Sequence, residues 1–319
     1  MNIFDLSTIG EGQIRLTINS GERLISAQSL RMSAACSEAN VAGLLAQLGR
    51  LTRWTSCMPQ GDLAERCLSE FRSVGVDMSA MLRRPTGRVA LYFMEPAAPP
   101  MPSNVTYDRE YSAFRTADVG DYDWDLILDT KLIFLTGITA ALTEQTARVV
   151  RYAADAARER GIDVVLDVNY RSKLWDGDQA RTTLGPIAEM ATVLFCSRRD
   201  AETVFGIAST PATGVDACHT LRERFGCRHV VSTDQCDGVY LSNADGDISY
   251  SVDQVPVIDR PGAGDAFVAG TLHGYLAGDI KAGIEYGQRV ARYALTHYGD
   301  LTRIRPEELD IPTTTDIVR

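Results

Sequence analysis

From about residue 130 onward, short apolar runs alternate with helical ones, and this alternation constrains the chain more than any other feature. Lys131 to Thr136 reads as a short buried strand. Thr143 to Gly161 reads as a helix whose apolar side carries Val149, Val150, Ala153 and Ala157. Asp163 to Val168 is a continuous apolar run of the kind found in parallel strands covered on both faces. A strand over Thr192 to Cys196, a helix over Val215 to Phe225 and a strand over His229 to Ser232 continue the series. A βαβα order predicts an α/β fold, a doubly wound and mainly parallel sheet with helices on both faces.

The first third has a different texture. Ile14 to Ile18 and Arg88 to Glu95 have the β-rich look of antiparallel strands, whereas Ser37 to Leu48 is helical. These segments predict a small β-sheet lid, formed by insertions at about 12–35 and 86–118, on a single α/β domain spanning 1–319. The proline-rich stretch Pro96 to Pro102 reads as an exposed loop between two strands, not a domain linker. In an open α/β sheet the ligand lies beyond the carboxyl ends of the strands, and a lid would close over that edge.

With 32 basic and 42 acidic side chains the formal charge is −10, which repels nucleic acids and anionic membranes at long range. Neither is an expected partner, and an anionic ligand must be held by a few local donors or a metal. Hydrophobic residues at 45% against 23% charged exclude disorder as the main state. No run of 18 apolar residues predicts a membrane span, and Met1 to Asp5 lacks the basic start and apolar stretch of a signal peptide. The seven cysteines form no CxxC and the four histidines no HExxH. Reduced, mostly buried cysteines in a cytoplasmic protein are therefore expected.

The stretch most charged with chemistry is Val257 to Gly270, where a glycine-rich turn, Pro261-Gly262-Ala263-Gly264-Asp265, runs straight into a helix. Its core side is expected at Phe267, Leu272, Tyr275 and Leu276. The first N–H groups of a helix lack internal partners and sit at its positive dipole end. Gly262 and Gly264 would let an anion approach that backbone closely. Asp265 at the helix start could accept a proton, a combination suited to phosphoryl transfer. By itself the stretch also serves as a structural turn capped by Asp265. No GxxxxGK[ST] is present, which excludes a P-loop, and Arg15 stands where a dinucleotide fingerprint starting at Gly10 would need glycine.

DRPGAGDAFVAG at 259–270 resembles the DTxGAGDxF signature of the ribokinase-like (PfkB) carbohydrate kinases. Asn40-Val41-Ala42 with Leu45, Leu48 and Gly49 is similar to that family's N-terminal helix. Leu166 to Trp175 resembles the DxNxRxxLW segment of the 2-keto-3-deoxygluconate kinases, and Tyr107-Asp108-Arg109 with Ser112-Ala113-Phe114 their YDRxxSAF segment. Thr86-Gly87 with Tyr92-Phe93 adds a further match, and the resemblance runs from Ile9 to Arg319.

The resemblance implies an ATP-dependent kinase acting on a primary hydroxyl of a sugar acid, with ATP and Mg²⁺ bound. Asp265 would be the general base, and Gly262, Ala263 and Gly264 would form the anion hole. Arg109 and Arg171 would hold the sugar carboxylate, since a guanidinium can grip a carboxylate bidentately. Ala35, Cys36 and Asn40 would line the sugar pocket with Tyr92 and Tyr107, although Tyr92 could equally be a cross-strand packing residue. Ser197, Thr233 and Gly238 would border the nucleotide, Asp200 would reach Mg²⁺ through water, and Trp175 would pack in the core. A monovalent cation (K⁺) near Asp259 and a homodimer formed through the lid's strand edges are further implications.

Three departures bear on function. The family run GGAExN corresponds here to Ala35-Cys36-Ser37-Glu38-Ala39-Asn40, which places two Cβ atoms and a thiol at the pocket floor. NxxE corresponds to Ser197-Arg198-Arg199-Asp200, and the turn Thr233 to Gly238 carries Asp234 and Asp237, unfavourable beside a triphosphate unless they point away or bind metal. A kinase for another ketose or sugar acid, fructokinase- or ribokinase-like, is the second reading. A non-catalytic sugar- or nucleotide-binding protein is the third, opposed by the intact Asp265.

Overall fold

The computed structural model describes residues 3–97 and 100–309, so Met1-Asn2, Ala98-Pro99 within the proline-rich loop, and 310–319 lie outside the described residues. The chain starts with β1 (Phe4–Ile9) and β2 (Gln13–Thr17), returns as β3 (Arg31–Ala35) and enters α1 (Ser37–Gln47). β4 (Thr52–Thr55), β5 (Cys57–Pro59), α2 (Asp62–Arg72) and β6 (Leu82–Arg84) follow, then β7 (Ala90–Glu95) and β8 (Asn104–Asp108). Next come α3 (Trp124–Ile127), β9 (Thr130–Thr136), α4 (Gly137–Ala140), α5 (Glu144–Glu159), β10 (Asp163–Asp167), α6 (Gly177–Ala188) and β11 (Val193–Phe195). The remainder is α7 (Arg198–Phe205), α8 (Gly214–Phe225), β12 (His229–Asp234), β13 (Gly238–Asn243), β14 (Gly246–Tyr250), α9 (Ala263–Leu276) and α10 (Ile280–Leu295).

Eight strands form the main sheet in the order β14-β13-β12-β11-β10-β9-β1-β4. The pairings from β12 to β4 are parallel, and β13 and β14 close the far edge antiparallel. Parallel strands covered on both faces must be apolar on both, and β9 is: Leu132 and Phe134 join one buried cluster, Ile133 and Leu135 the other. The first cluster takes in α1, α9 and α10 through Leu44, Leu272 and Ile284, the second α5, α6 and α7 through Val150, Leu184 and Val204. Strand order reverses between β1 and β9, so their carboxyl ends frame the crevice where such sheets bind ligands.

A separate four-stranded sheet has the order β3-β2-β7-β8. Its strands are not all antiparallel as the alternation predicts, because β2 and β7 run parallel while both outer pairs are antiparallel. The cause is topological. Between β2 and β7 the chain passes back through α1, β4 and α2, and a crossover of that kind returns a strand in the same direction.

α9 also differs from the amphipathic helix its sequence suggests. Residues Ala266 to Leu272 are buried all round, and Tyr275 and Leu276 are only partly so, because α1 and α10 cover it from different sides. Small residues allow the close crossing. A Cβ added at Gly274 would lie 2.3 Å from Gly283 Cα, and one at Gly270 would lie 2.6 Å from Gly287 Cα. Gly274→Ala should therefore push α9 and α10 apart and cost about 1–3 kcal/mol, measurable as a lower urea midpoint with an unchanged m-value. An unaltered midpoint would mean the crossing is not tightly packed.

Candidate active site

Gly262 is the N-cap of α9, and its φ of 86° lies in the left-handed region. A Cβ there would sit 2.1 Å from the Asp300 carbonyl oxygen, so both backbone and neighbour require glycine. Gly264 has open space where a Cβ would be and lines the cleft described below. Asp265 is the third residue of α9. Its Oδ1 accepts a hydrogen bond from Ser37 Oγ at 2.5 Å and its Oδ2 accepts one from Asn40 Nδ2 at 2.7 Å. Both donors stand on the first turn of α1, three residues apart and so on one helical face. Burial pushes the Asp265 carboxyl up to about 6, against the two donors and Arg171, which pull it down, and with Asp300, which adds to the rise.

Beside Asp265 lies a cleft of about 520 Å³, lined among others by Asp167, Arg171, Ser197, Asp200, Thr233 and Gly264. Burial pushes Asp167 up to about 7, with the charges of Asp265 and Asp200 adding to it and the Asn169 hydrogen bond opposing. Burial also raises Asp200, which accepts from the Tyr170 N–H at 3.4 Å. Ser197 caps α7, its Oγ accepting from the Asp200 N–H at 3.1 Å. Asn169 holds a φ of 39° and donates through Nδ2 to Asp167 at 3.1 Å and to Ser37 Oγ at 3.3 Å. The side-chain oxygens of Asn40 and Asn169 are buried, and among the described residues neither has a hydrogen-bond partner.

The two arginines of the predicted carboxylate clamp differ in state. Arg171 is exposed at the cleft and makes no ion pair among the described residues. Arg109 is buried and already paired, its guanidinium 2.6 Å from Glu11, which also accepts from Ser112. A guanidinium as deep as that of Arg109 must carry its counter-ion with it, so the two arginines expected at the sugar carboxylate start from different states. Tyr107 is the partly exposed member of a pair with Tyr92, the ring centroids 5.9 Å apart across β7 and β8. Tyr92 is buried, and its hydroxyl donates to Asp300 Oδ2 at 2.6 Å, so cross-strand packing plus an anchor describes it better than a pocket wall.

Ala35 and Cys36 are both buried at the junction of β3 and α1. The Cys36 thiol donates to Glu38 at 3.2 Å, and Glu38 also accepts from Thr136 and Thr139. Burial and Glu38 push that thiol well up, which leaves it a hydrogen-bonded filler and not a nucleophile. Gly238 does not border the cleft as expected. It opens β13 against Tyr240, where a Cβ would meet the phenol at 2.9 Å. Asp234 lines the cleft, but its charge is met by Arg198, while Asp237 lies exposed at the turn. Trp175 packs partly buried against the core.

One group escapes the sequence entirely. Arg15 on β2 is buried between Asp259 and Asp300, each at 2.7 Å. These acids lie 244 and 285 residues away, so no local pattern could pair them. Ser37 and Asn169 were more accessible: the first stands three residues before Asn40 on one helix, and the second in the same short segment as Arg171.

The profile of the pfkB family carbohydrate kinases matches residues 4–306. The 2-dehydro-3-deoxygalactonokinase of Haloferax volcanii is 31% identical over 96% of this chain and 95% of its own. The 2-dehydro-3-deoxygluconokinase of Bacillus subtilis is 27% identical over 95% and 93%. The solved 2-dehydro-3-deoxygluconokinase of Thermotoga maritima superposes with a TM-score of 0.90 at 27% identity, covering 96% of this chain and 97% of that one. The chain belongs to the pfkB family of carbohydrate kinases and has its ribokinase-like fold.

Arg15→Met leaves Asp259 and Asp300 buried without a counter-charge and should cost about 3–5 kcal/mol. Chemical denaturation would read the loss directly, and a cost below 1 kcal/mol would mean the triad is solvated.

Proposed function

We propose that this carbohydrate kinase transfers the γ-phosphoryl group of ATP to a primary hydroxyl of a 2-keto-3-deoxy sugar acid, 2-keto-3-deoxygluconate. The observation that carries the reading is Asp265 at the start of α9, gripped at both oxygens by α1, beside a cleft of about 520 Å³. Asp265 takes the proton of the sugar hydroxyl as its oxygen bonds to the γ-phosphorus. The bond from that phosphorus to the β,γ-bridging oxygen breaks, and ADP leaves. The N–H groups of Gly262, Ala263 and Gly264 at the positive end of α9 receive the charge of the transferring group.

The nucleotide would lie in the cleft against Ser197 and Thr233. Among the described residues no group of three acidic, cysteine or histidine side chains could hold a metal alone. Asp200 lines the cleft and would reach an ion arriving on the nucleotide through water. When bound, Mg²⁺ neutralises phosphate charge. The Arg198–Asp234 pair removes one of the two carboxylates that would oppose a triphosphate.

Arg171 has its charge to spare for the sugar carboxylate, and Arg109 can join only by sharing itself with Glu11. Lys173 ties the Arg171 loop to β8 by donating to the Val105 carbonyl at 2.9 Å, so sheet and loop can close together as a lid on one α/β domain. Asp259 offers a K⁺ ion little. Its oxygens already receive Arg15 and the N–H groups of Arg260 and Gly299, and no step is assigned to such an ion. Edge strands β3 and β8 are the surfaces a homodimer would use. The described cysteines are all unpaired and six of the seven are buried, which suits a reducing compartment. Among the described residues no helix is long and apolar enough to cross a membrane.

The relative from Haloferax volcanii favours the C4 epimer, 2-keto-3-deoxygalactonate, as a second reading. Coupled ADP release across both epimers, gluconate, fructose and ribose tests the class: turnover should be confined to the keto-deoxy acids. Activity on fructose or ribose alone would overturn the acid assignment. Asp265→Asn should lower kcat by about 10²–10⁴-fold with the fold intact. Because Asp265 must be ionised to accept a proton and titrates at about 6, kcat/KM should rise with pH through that region. A flat profile from pH 5 to 8 would remove it as the base.

A further inference from the structure

Asp265 has a second-row support that the family run quoted above does not supply, since Ser37 stands where GGAExN has alanine. A serine at the first position of a helix often serves its own helix end. Here the N-cap is Cys36 with no side-chain cap bond, and the Ser37 hydroxyl crosses instead to the neighbouring helix. Its direction is settled by Asn169. The Asn169 amide gives one hydrogen to Asp167 and the other to Ser37 Oγ, so the single hydroxyl hydrogen of Ser37 is left for Asp265 Oδ1. Asn169 is itself fixed, its backbone N–H donating to Asp167 Oδ1 at 3.0 Å and its φ held at 39°. The result is a chain of oriented donors from the end of β10 to the carboxylate at the start of α9.

We propose that Ser37 is a positioning residue for phosphoryl transfer, its hydroxyl oriented by Asn169 so that, with Asn40, it fixes the plane of the Asp265 carboxylate toward the sugar hydroxyl. The proposal rests on the reading of Asp265 as general base. With one donor on each oxygen, neither carboxylate oxygen can swing away, and each keeps a lone pair for the incoming proton. Orientation of this kind acts on turnover more than on sugar binding. It also acts on titration. Ser37 and Asn40 stabilise the ionised form, Arg171 does so through space, and Asp300 and Asp167 oppose it. Losing the Ser37 donor shifts that balance toward the protonated acid.

The test compares wild type, Asp265→Asn, Ser37→Ala and Ser37→Thr in the full chain, with kcat and KM for 2-keto-3-deoxygluconate measured from pH 5 to 8 and thermal midpoints recorded alongside. Ser37→Ala should lower kcat at pH 7 by roughly 10-fold, hold KM for the sugar within about 2-fold, and move the acid limb up by roughly one unit. Ser37→Thr, which keeps the hydroxyl, should restore the limb. Inactive Asp265→Asn with an unmoved limb in Ser37→Ala overturns the proposal and leaves the base in place. So does a loss of activity in Ser37→Ala that follows a lowered thermal midpoint without a limb shift. Near-normal turnover of Asp265→Asn overturns the reading of Asp265 itself. Should the alanine variant not fold, Ser37→Gly removes the same hydroxyl and is read the same way.

Discussion

The buried guanidinium of Arg15 ties the molecule together. It sits on the small sheet, yet its two counter-ions belong to the far end of the chain, one three residues before Gly262 and the other in the loop whose carbonyl presses on Gly262. An uncompensated charge at that depth would be very costly, so the three groups must stay together. Their union fixes how β2 lies over the main sheet and how α9 is entered. Tyr92 repeats the constraint from β7, donating to the same Asp300. The small sheet is thereby anchored at its base, while most of β8 and the side chain of Tyr111 remain exposed.

Against that anchor the two helix starts do complementary work. α9 supplies the carboxylate at its positive end, and α1 supplies the donors that hold the carboxylate. Two positive helix ends converge on one acid whose burial would otherwise keep it protonated. The compromise near neutrality suits a group that must be ionised before reaction and protonated after it. The sheet topology makes the convergence available, because the carboxyl ends of β1, β9 and β10 open beside the reversal of strand order.

Much of this was legible in the residues. The strands and helices after residue 130 follow from their apolar periodicity, and α5 is capped by Thr143, the residue at which the expected helix begins. GAGD and the segments around Arg109 and Arg171 identified the family. What stayed hidden has a common cause. Periodicity reports on one element at a time, whereas the Arg15 triad, the Glu11–Arg109 pair and the Arg198–Asp234 pair join residues from distant parts of the chain. A lone arginine in a strand or loop looks the same whether it faces water or a buried acid. The direction of β7 was hidden for the same reason, since it depends on where the intervening segment travels.

The parallel pairing of β2 with β7 has a consequence for how the protein is made. β2 cannot gain that neighbour until α1, β4 and α2 have been laid down, and the guanidinium it carries must wait until residue 300 is synthesised. Contacts this distant in sequence are slow to form and leave an arginine and a strand edge exposed meanwhile. The entry to α9 therefore lacks its packing partner until the loop at Asp300 has been made. A partly synthesised chain could hold most of its sheet and still lack the alignment that makes it an enzyme.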